Sequence, residues 1–420
     1  MISVGIDVSK GKSMACFLDS DGEILYKPFL FEHTFSGIQR LTDRIQEQEK
    51  NGPVKIIMEA TGIYHLPVAI HLHEQGFDVS VVNPLSTSRY RNIDVRNVKT
   101  DKADSVSIAN YGRSYWHTLP AFKMHTDEYF WLNDAADDYL TISKSQNRLD
   151  LLFKNKLERS MPGIDKELAS LNKETGKNKL LDFVMQYPHF AAITAMSEAE
   201  FIEDFCIWAR KKGYRASKSK ATTIYSLALN GIPSTPDSQY NRDSIQMYAD
   251  LLREAETALI GILARMREIA KTLPEYELVG EMGGVGNILQ VMLIAKIGDV
   301  RQFPKKGALV AYAGLDSPPN QSGVNPGTGM PITKRGKSKL RKILYQLVMT
   351  LLSHEEPADN VVYNFVKRKV AEGKPKKVAI IAGMAKFLRQ YYGRVMNLYR
   401  QSGLLKFGYT RASQWKLPTA

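Results

Sequence analysis

Short apolar segments alternate with longer amphipathic segments along the N-terminal third of the chain. In the short segments, apolar residues either alternate with polar residues or follow one another directly, and both patterns predict strands. In the longer segments, apolar residues recur at helical spacing, which predicts helices. The predicted strands are 2–7, 14–18, 23–30, 54–58 and 78–82, and the predicted helices are 35–50, 63–75 and 105–111. Three successive strands followed by alternating helices and strands predict an α/β domain with a mixed sheet.

The middle of the chain has a helical pattern. An amphipathic helix is predicted over 126–160, and the segment 164–239 contains several short helices to which no chemistry can be assigned. Apolar residues then recur at alternating spacings of three and four, at Ile245, Tyr248, Leu252, Ala255, Leu259, Ile262, Met266, Ile269 and Leu273. This narrow seam predicts a coiled coil and therefore a homodimer. The alternative is that the seam packs against 126–160 of the same chain.

The C-terminal part of the chain is predicted to be mainly α-helical. A glycine-rich turn containing Gly284 and Gly286 precedes a helix that extends to Ile297, and further helical segments follow. We therefore predict three domains. They are an α/β domain over 1–160 that ends in a long helix, a helical and coiled-coil segment over 161–274, and a mainly α-helical C-terminal domain over 275–420.

Charge narrows the choice of partner. The net charge is +13 with a pI near 9.4, and residues 331–420 carry 19 Lys and Arg against 4 Asp and Glu, a surplus of +15. A surplus of this kind favours nucleic acid as the partner. Two cysteines give no disulfide framework, and no apolar run is long enough to span a bilayer, so we expect a cytosolic, nucleoid-associated protein without a membrane partner.

Four acidic residues occupy positions that suit metal ligands. Asp7 and Glu59 each end an apolar strand, and sites in open α/β sheets lie beyond the carboxyl ends of strands. Thr100 is predicted to cap a helix, which places Asp101 and Asp104 on one face of its first turn. Four such carboxylates can hold two divalent ions for phosphoryl transfer. The alternatives are solvent-exposed acids at strand ends and acids that stabilise the positive end of a helix.

Three spaced motifs carry a resemblance to a known family. They are Gly5-Ile6-Asp7-Val8-Ser9-Lys10, Met58-Glu59-Ala60-Thr61-Gly62 and Val98-Lys99-Thr100-Asp101-Lys102-Ala103-Asp104. Together they resemble the acidic motifs of the DEDD insertion-sequence transposases, relatives of the Piv DNA invertase that have a RuvC-like nuclease domain of the ribonuclease H fold. The resemblance implies that the four acids ligate Mg²⁺, with Mn²⁺ as a substitute.

A second resemblance to the same family lies in the C-terminal part. Gly314-Leu315, Ser322-Gly323 and the segment from Lys334 to Arg341 resemble the family's second conserved region, in which the serine is the nucleophile; this role carries over to Ser322. From the residues alone, a serine in a loop rich in glycine and proline is normally a turn residue. Ser317 is a competitor that the sequence does not exclude.

Cations near these motifs are predicted to contact phosphates rather than bases. The glycine turn before the helix that ends at Ile297 is similar to the hairpin of helix-hairpin-helix modules, which bind phosphates through backbone amides; close helix packing is the alternative explanation for its glycines. The predicted nucleic-acid contacts are Arg89, Arg91, Arg96, Lys99, Lys102, Gly284, Gly286, Lys334, Arg335, Lys337, Lys339 and Arg341.

These observations predict a DNA transposase or site-specific recombinase. The resemblance implies a covalent 5′-phosphoserine intermediate, pairing of the acidic domain of one protomer with the serine domain of another, and guidance by a structured RNA from the same element. We also expect the homodimers to assemble into tetramers on DNA. Two alternatives are open. One is a RuvC-like, metal-dependent endonuclease that resolves branched DNA with water as the nucleophile, and the other is a non-catalytic nucleic-acid-binding protein.

Overall fold

The computed structural model divides the chain into two units, Met1–Met124 and His125–Ala420. It describes residues 1–91, 100–123, 126–168, 176–317, 321–322, 325–326, 331–353 and 360–405. The long helix that was predicted to end the first domain instead belongs to the second unit, because its apolar side chains pack there. The first unit ends at Met124, so this helix lies outside it, and the predicted division into three domains stays a prediction.

The first unit is built on a mixed sheet of five strands, which confirms the predicted α/β layer. The strands are β1 (Ile2–Val8), β2 (Lys12–Leu18), β3 (Ile24–Glu32), β4 (Val54–Glu59) and β5 (Asp78–Val82). They are arranged in the order β3-β2-β1-β4-β5. The first three strands pair antiparallel, whereas β4 lies parallel to both β1 and β5. The carboxyl ends of β1, β4 and β5 consequently meet at one end of the sheet.

Helices cover both faces of this sheet. They are α1 (Phe35–Glu49), α2 (His65–Glu74), α3 (Pro84–Arg91) and α4 (Asp101–Ser114). Apolar side chains of α1 and α2 pack on one face, against Ile6 and Ile56. On the other face α4 crosses β1, where the Ser3 hydroxyl donates to the carbonyl of Ala109 at 2.7 Å and Ile108 packs on Ile57. Alternation along β1 thus sends one set of side chains to the apolar core and the other set toward α4.

The second unit is almost entirely helical in the part that the structure describes. Its helices are α5 (Asp127–Ser160), α6 (Ile164–Leu168), α7 (Lys179–Gln186), α8 (Phe190–Thr194), α9 (Glu198–Lys211), α10 (Lys218–Asn230), α11 (Gln239–Ala270), α12 (Tyr276–Gly280), α13 (Asn287–Ile297), α14 (Lys306–Tyr312), α15 (Ser338–Ser353), α16 (Val361–Ala371) and α17 (Lys376–Gln401), with a 3₁₀ turn at Val300–Gln302. Two short strands, β6 (Gln321–Ser322) and β7 (Asn325–Pro326), pair with each other.

Two separate apolar cores stabilise this unit, and α5 and α11 run antiparallel through both. One core joins the start of α5 and the end of α11 to α12–α17. The other joins the end of α5 and the start of α11 to α6–α10. In the first core Leu132 packs near Met266, and in the second Phe153 packs near Leu252. The segment α6–α10 is thus a subdomain with a core of its own at one end of the α5–α11 pair.

The predicted heptad seam lies on α11 and packs within the chain. Its alternate members Ile245, Leu252, Leu259 and Met266 are buried, as is Leu273 just beyond the end of α11, and all of these except Leu259 belong to the two cores. The remaining members, Tyr248, Ala255, Ile262 and Ile269, are half-buried. The antiparallel partner α5 is the alternative that the sequence left open, and dimerisation through α11 stays a prediction. Among the described residues, no helix is both long and apolar enough to cross a membrane.

Candidate metal centre and nucleic-acid interface

Asp7 and Glu59 lie on neighbouring parallel strands. Glu59 is the last residue of β4, and Asp7 precedes the last residue of β1. The register pairs Ile6 with Met58, so the two acids are the next residues along the paired strands. Both belong to the alternating set that faces α4. Glu59 is buried and Asp7 is half-buried.

The other two acids begin α4. The Thr100 hydroxyl oxygen accepts a hydrogen bond from the backbone N–H of Ala103 at 3.2 Å, which confirms the predicted N-cap and places Asp101 and Asp104 in the first turn. The carbonyl of Ser105 lies over Gly5, whereas the carbonyl of Ala109 lies over Ser3. The helix therefore runs antiparallel to β1. Its first turn extends toward the carboxyl end of β1, where Asp7 lies.

The backbone thus brings four acids from β1, β4 and α4 to one end of the sheet. All four present oxygen donors, the ligand type that a hard divalent cation prefers. Their side chains are not gathered into a ligand set, because no three His, Cys, Asp or Glu side chains among the described residues are arranged to hold a metal ion. Binding of a metal at this end of the sheet would require rotation of carboxylate side chains toward one another.

Thr87 in α3 is a site residue that the sequence did not reveal. Its side chain is buried, and its hydroxyl donates to Glu59 Oε1 at 2.5 Å, with the carbonyl of Pro84 3.0 Å away. The contact joins residues 28 positions apart on different elements. A hydrogen bond of this kind restricts the rotation of the Glu59 carboxylate.

The predicted phosphate contacts of the first unit are only partly described. Lys102 is exposed in the first turn of α4. Arg89 and Arg91 lie on α3, but their side chains are outside the described part of the chain, as are Arg96 and Lys99 altogether.

The glycine turn in the second unit joins α12 to α13, as the predicted helix-hairpin-helix arrangement requires. Gly284 has a φ of +77°, and a β-carbon there would lie 2.4 Å from the Leu351 side chain. Close packing on α15 therefore accounts for this glycine. Gly286 is the N-cap of α13, and a β-carbon there would meet no atom within 4 Å. Its predicted contact with phosphate stays a prediction.

Ser322 lies in a loop whose base is fixed by hydrogen bonds. Its backbone pairs with that of Asn325, and its side chain is outside the described part of the chain. At the base of the loop, the Thr333 hydroxyl donates to Asp316 Oδ1 at 2.6 Å. The competitor Ser317 is part of this base, where its hydroxyl donates to the carbonyl of Pro331 at 3.3 Å.

The basic segment after this loop contains two kinds of side chain. Lys334, Arg335, Lys337 and Lys339 are exposed, although Lys339 forms an ion pair with Asp137 at 2.8 Å. Arg341 is half-buried, and its Nη1 donates to the carbonyls of Ala313 at 3.0 Å and Gly336 at 2.9 Å. The guanidinium of Arg341 thus holds the loop base together, a role that the predicted phosphate contact did not anticipate.

Comparison with known proteins places these features in a family. Residues 4–162 match the DEDD transposase model of the IS110 type, and residues 276–363 match the transposase IS116/IS110/IS902 family. The chain belongs to this transposase family. The two matches together cover more than half of the chain, and the first contains all four acids. The transposase is therefore a DNA-recombining enzyme.

Relatives of the transposase include proteins that invert DNA. It is 24% identical over 391 residues to the pilin gene-inverting protein of Moraxella bovis, covering 93% of this chain and 94% of the relative. It is 21% identical over 364 residues to a 44.8 kDa protein of insertion element IS116 from Streptomyces clavuligerus, covering 85% and 86%. Over 108 residues it is 31% identical to the transposase of IS1111A from Coxiella burnetii, covering 26% and 29%.

Proposed function

We propose that the transposase cuts and rejoins DNA at a metal centre formed by Asp7, Glu59, Asp101 and Asp104. The observation that carries this proposal is the convergence of β1, β4 and the first turn of α4 at one end of the sheet. The sheet order β3-β2-β1-β4-β5, with three antiparallel strands followed by two parallel ones, supports a RuvC-like, ribonuclease H-like domain. The oxygen-only donors favour Mg²⁺, for which Mn²⁺ can substitute.

The chain's own residues would prepare this centre in three ways. Asp7 and Glu59 supply carboxylates from strand ends that the sheet holds in fixed register. Thr87 orients Glu59, and the Thr100 cap fixes the turn that carries Asp101. A divalent ion bound there would polarise the scissile phosphodiester and stabilise the leaving 3′-oxygen.

We further propose that Ser322 is the nucleophile. A bond forms between its oxygen and the phosphorus, and the bond from phosphorus to the 3′-oxygen breaks. The proton lost by the serine hydroxyl is balanced by the proton that the 3′-oxygen takes up, which yields a 5′-phosphoserine and a 3′-hydroxyl. The covalent ester retains the energy of the phosphodiester for rejoining. The fixed loop base and the exposed Lys334, Arg335 and Lys337 support this assignment, because they present cations to phosphate beside the loop.

The assembly and the guide are also proposals. The half-buried seam members Tyr248 and Ile262, together with the exposed Met247 and Leu251, give α11 an apolar surface for a homodimer, and dimers would pair into tetramers on DNA. The resemblance to RNA-guided relatives suggests that a structured RNA from the same element selects the target by base pairing. Sequencing the RNA that co-purifies with the protein tests guidance. A defined, element-encoded RNA supports it, and random cellular RNA contradicts it.

The catalytic proposal is tested by strand cleavage and recombination with two variants. We expect Asp101→Asn to bind DNA but not to cleave it, whereas a non-catalytic binding protein would behave as the wild type does. We expect Ser322→Ala to lose both recombination and the covalent protein–DNA adduct, and Ser317→Ala to retain them. Cleavage by Ser322→Ala at the wild-type rate would instead indicate a RuvC-like endonuclease that uses water.

A further inference from the structure

The α6–α10 subdomain is not used by the proposed chemistry. It lies between the two segments that match the family, which end at residue 162 and resume at residue 276. Its core is rich in aromatic side chains, including Phe183, Phe205 and Trp208. A subdomain with its own core can present a surface of its own, and the charges on that surface indicate its partner.

Cations are concentrated where α9 ends and α10 begins. The segment 210–220 contains six Lys and Arg residues and no acidic residue. Two more cations lie nearby, one just before α7 and one at its start. Lys177 Nζ lies 3.5 Å from the carbonyl oxygen of Lys212, and Lys179 Nζ lies 5.8 Å from the ring centre of Tyr214. We name these eight residues the α9–α10 basic patch: Lys177, Lys179, Arg210, Lys211, Lys212, Arg215, Lys218 and Lys220.

Two carboxylates of the described residues form ion pairs with the patch. Asp182 lies 3.6 Å from Lys212 but is also shared with Arg253 at 2.8 Å, and Glu167 pairs with Lys220 at 2.6 Å. Four exposed cations of the patch form no ion pair within the described part of the chain: Arg210, Lys211, Arg215 and Lys218. The ordinary role of a surface cation, pairing with a neighbouring acid, does not account for these four.

The helix dipoles also oppose several of these charges. Lys218 and Lys220 lie in the first turn of α10, and Lys179 begins α7. Cations at the positive end of a helix destabilise it, and the first turn of α10 contains no acid to offset them. The pKa of Lys179 is lowered, first by burial and then by the charge of Lys220. The patch thus carries repulsion that a bound polyanion would relieve.

We propose that the α9–α10 basic patch binds the phosphodiester backbone of duplex DNA. Unpaired bases are usually bound by exposed aromatic rings, and the rings beside this patch are not available for stacking. Phe205 and Trp208 are buried, and the half-buried Tyr214 donates its hydroxyl to Asp182 at 2.6 Å. Cations without a stacking platform suit contact with a paired backbone, which positions DNA without reading its sequence.

The proposal is independent of the metal centre and of Ser322, because it concerns binding alone. The test uses the full-length protein in EDTA and a random duplex of about 40 base pairs, with affinity measured by fluorescence anisotropy across a series of salt concentrations. The variant replaces three exposed patch cations: Lys211→Gln, Arg215→Gln and Lys218→Gln. We expect the slope of log K against log salt to fall by about 2–3, since each lost phosphate contact contributes about 0.9.

A matched control removes the same charge elsewhere in the second unit, with Lys144→Gln on α5, Arg265→Gln on α11 and Lys271→Gln at the C-cap of α11, all at exposed positions. We expect this control to keep the wild-type slope and both triple variants to keep the wild-type melting temperature. If the slope of log K against log salt fell equally in the patch variant and in the control, the proposal would be overturned, because the result would show only an effect of net charge. Lost affinity for an RNA hairpin with unchanged affinity for duplex DNA would overturn it as well.

Discussion

Gly5 of β1 lies directly beneath Ser105 of α4. A β-carbon at Gly5 would stand 2.3 Å from the carbonyl oxygen of Ser105 and 2.2 Å from the backbone nitrogen of Ala109, far inside van der Waals contact. Only glycine therefore allows α4 to lie this close to the sheet. The close approach brings the first turn of α4, with Asp101 and Asp104, toward Asp7. The glycine two residues before the first acid thus belongs to the construction of the site.

Replacing this glycine should separate the acids. We expect Gly5→Ala to shift α4 away from β1, to lower stability by about 1–3 kcal/mol, and to abolish strand cleavage, because a backbone clash can be relieved only by moving the helix. Thermal unfolding and a cleavage assay check both effects. Gly261→Ala on α11, where a β-carbon meets no atom within 4 Å, is the control and should be neutral or slightly stabilising. Wild-type cleavage by Gly5→Ala would show that close approach is not needed.

Thr87 should act through Glu59. We expect Thr87→Val to weaken metal affinity and cleavage by about 10–100-fold, because the carboxylate loses the hydroxyl that restrains it. Thr87→Ser retains the hydroxyl and should retain most of the activity. Calorimetric titration with Mn²⁺, together with the cleavage rate, separates this role from a loss of fold. If valine and serine variants had the same metal affinity, the hydroxyl would have no positioning role.

Arg341 should stabilise the loop base rather than contact DNA. We expect Arg341→Gln to lower stability by about 1–3 kcal/mol, because two backbone carbonyls lose their donor. DNA binding by Arg341→Gln should show the same salt dependence as DNA binding by the wild type. Lys334 is exposed, so we expect Lys334→Gln to leave stability unchanged and to reduce the slope of log K for DNA binding against log salt by about 0.9. If Arg341→Gln reduced the slope of log K against log salt and left stability unchanged, the predicted phosphate contact would be supported instead.

Glu275 should make the stability of the second unit depend on pH. It is 1% exposed and accepts hydrogen bonds from the hydroxyls of Tyr129 at 2.5 Å and Tyr399 at 2.7 Å, yet burial raises its pKa above the ordinary 4.5. The folded chain therefore binds this proton more tightly than the unfolded chain. The contribution of Glu275 to stability is fully present below the unfolded pKa and is lost as pH rises through the folded pKa.

The pH dependence can be isolated with one substitution. We expect the free energy of unfolding of the wild type, relative to Glu275→Gln, to decrease as pH rises above the ordinary carboxyl pKa of 4.5, as measured by urea unfolding. The matched control is Glu277→Gln, which removes an exposed carboxylate two residues away. For this control, the difference in free energy of unfolding from the wild type should not change with pH. A constant difference for Glu275→Gln would show that its ionisation is not coupled to folding.

Local patterns predicted the elements that carry the acids. Strand β5 has the predicted bounds, and Thr100 caps α4 as its side chain indicates. These features depend on neighbouring residues, whose spacing is visible in the sequence. The heptad seam predicted an apolar stripe on α11 but did not decide its partner, because the same pattern suits packing on a helix of the same chain or of a second chain.

Contacts between distant residues could not be predicted in this way. Thr87 and Glu59 are joined across 28 positions, and Tyr129 and Glu275 across 146. Neither pair leaves a periodic signal, since a single hydrogen bond requires only one suitable side chain at each end. The inward contacts of Arg341 could not be predicted for a related reason. Its neighbours Lys337 and Lys339 are exposed, and only the folded chain shows that Arg341 turns inward to backbone carbonyls.

The most direct test of the account is Mn²⁺ binding to the full-length protein, measured by electron paramagnetic resonance. The variants are Asp7→Asn, Glu59→Gln, Asp101→Asn and Asp104→Asn. We predict that each weakens Mn²⁺ binding by at least about tenfold, whereas Glu198→Gln, which removes an acid from the first turn of α9, does not change it. Equal Mn²⁺ affinity in the wild type and all four variants would contradict a shared metal centre.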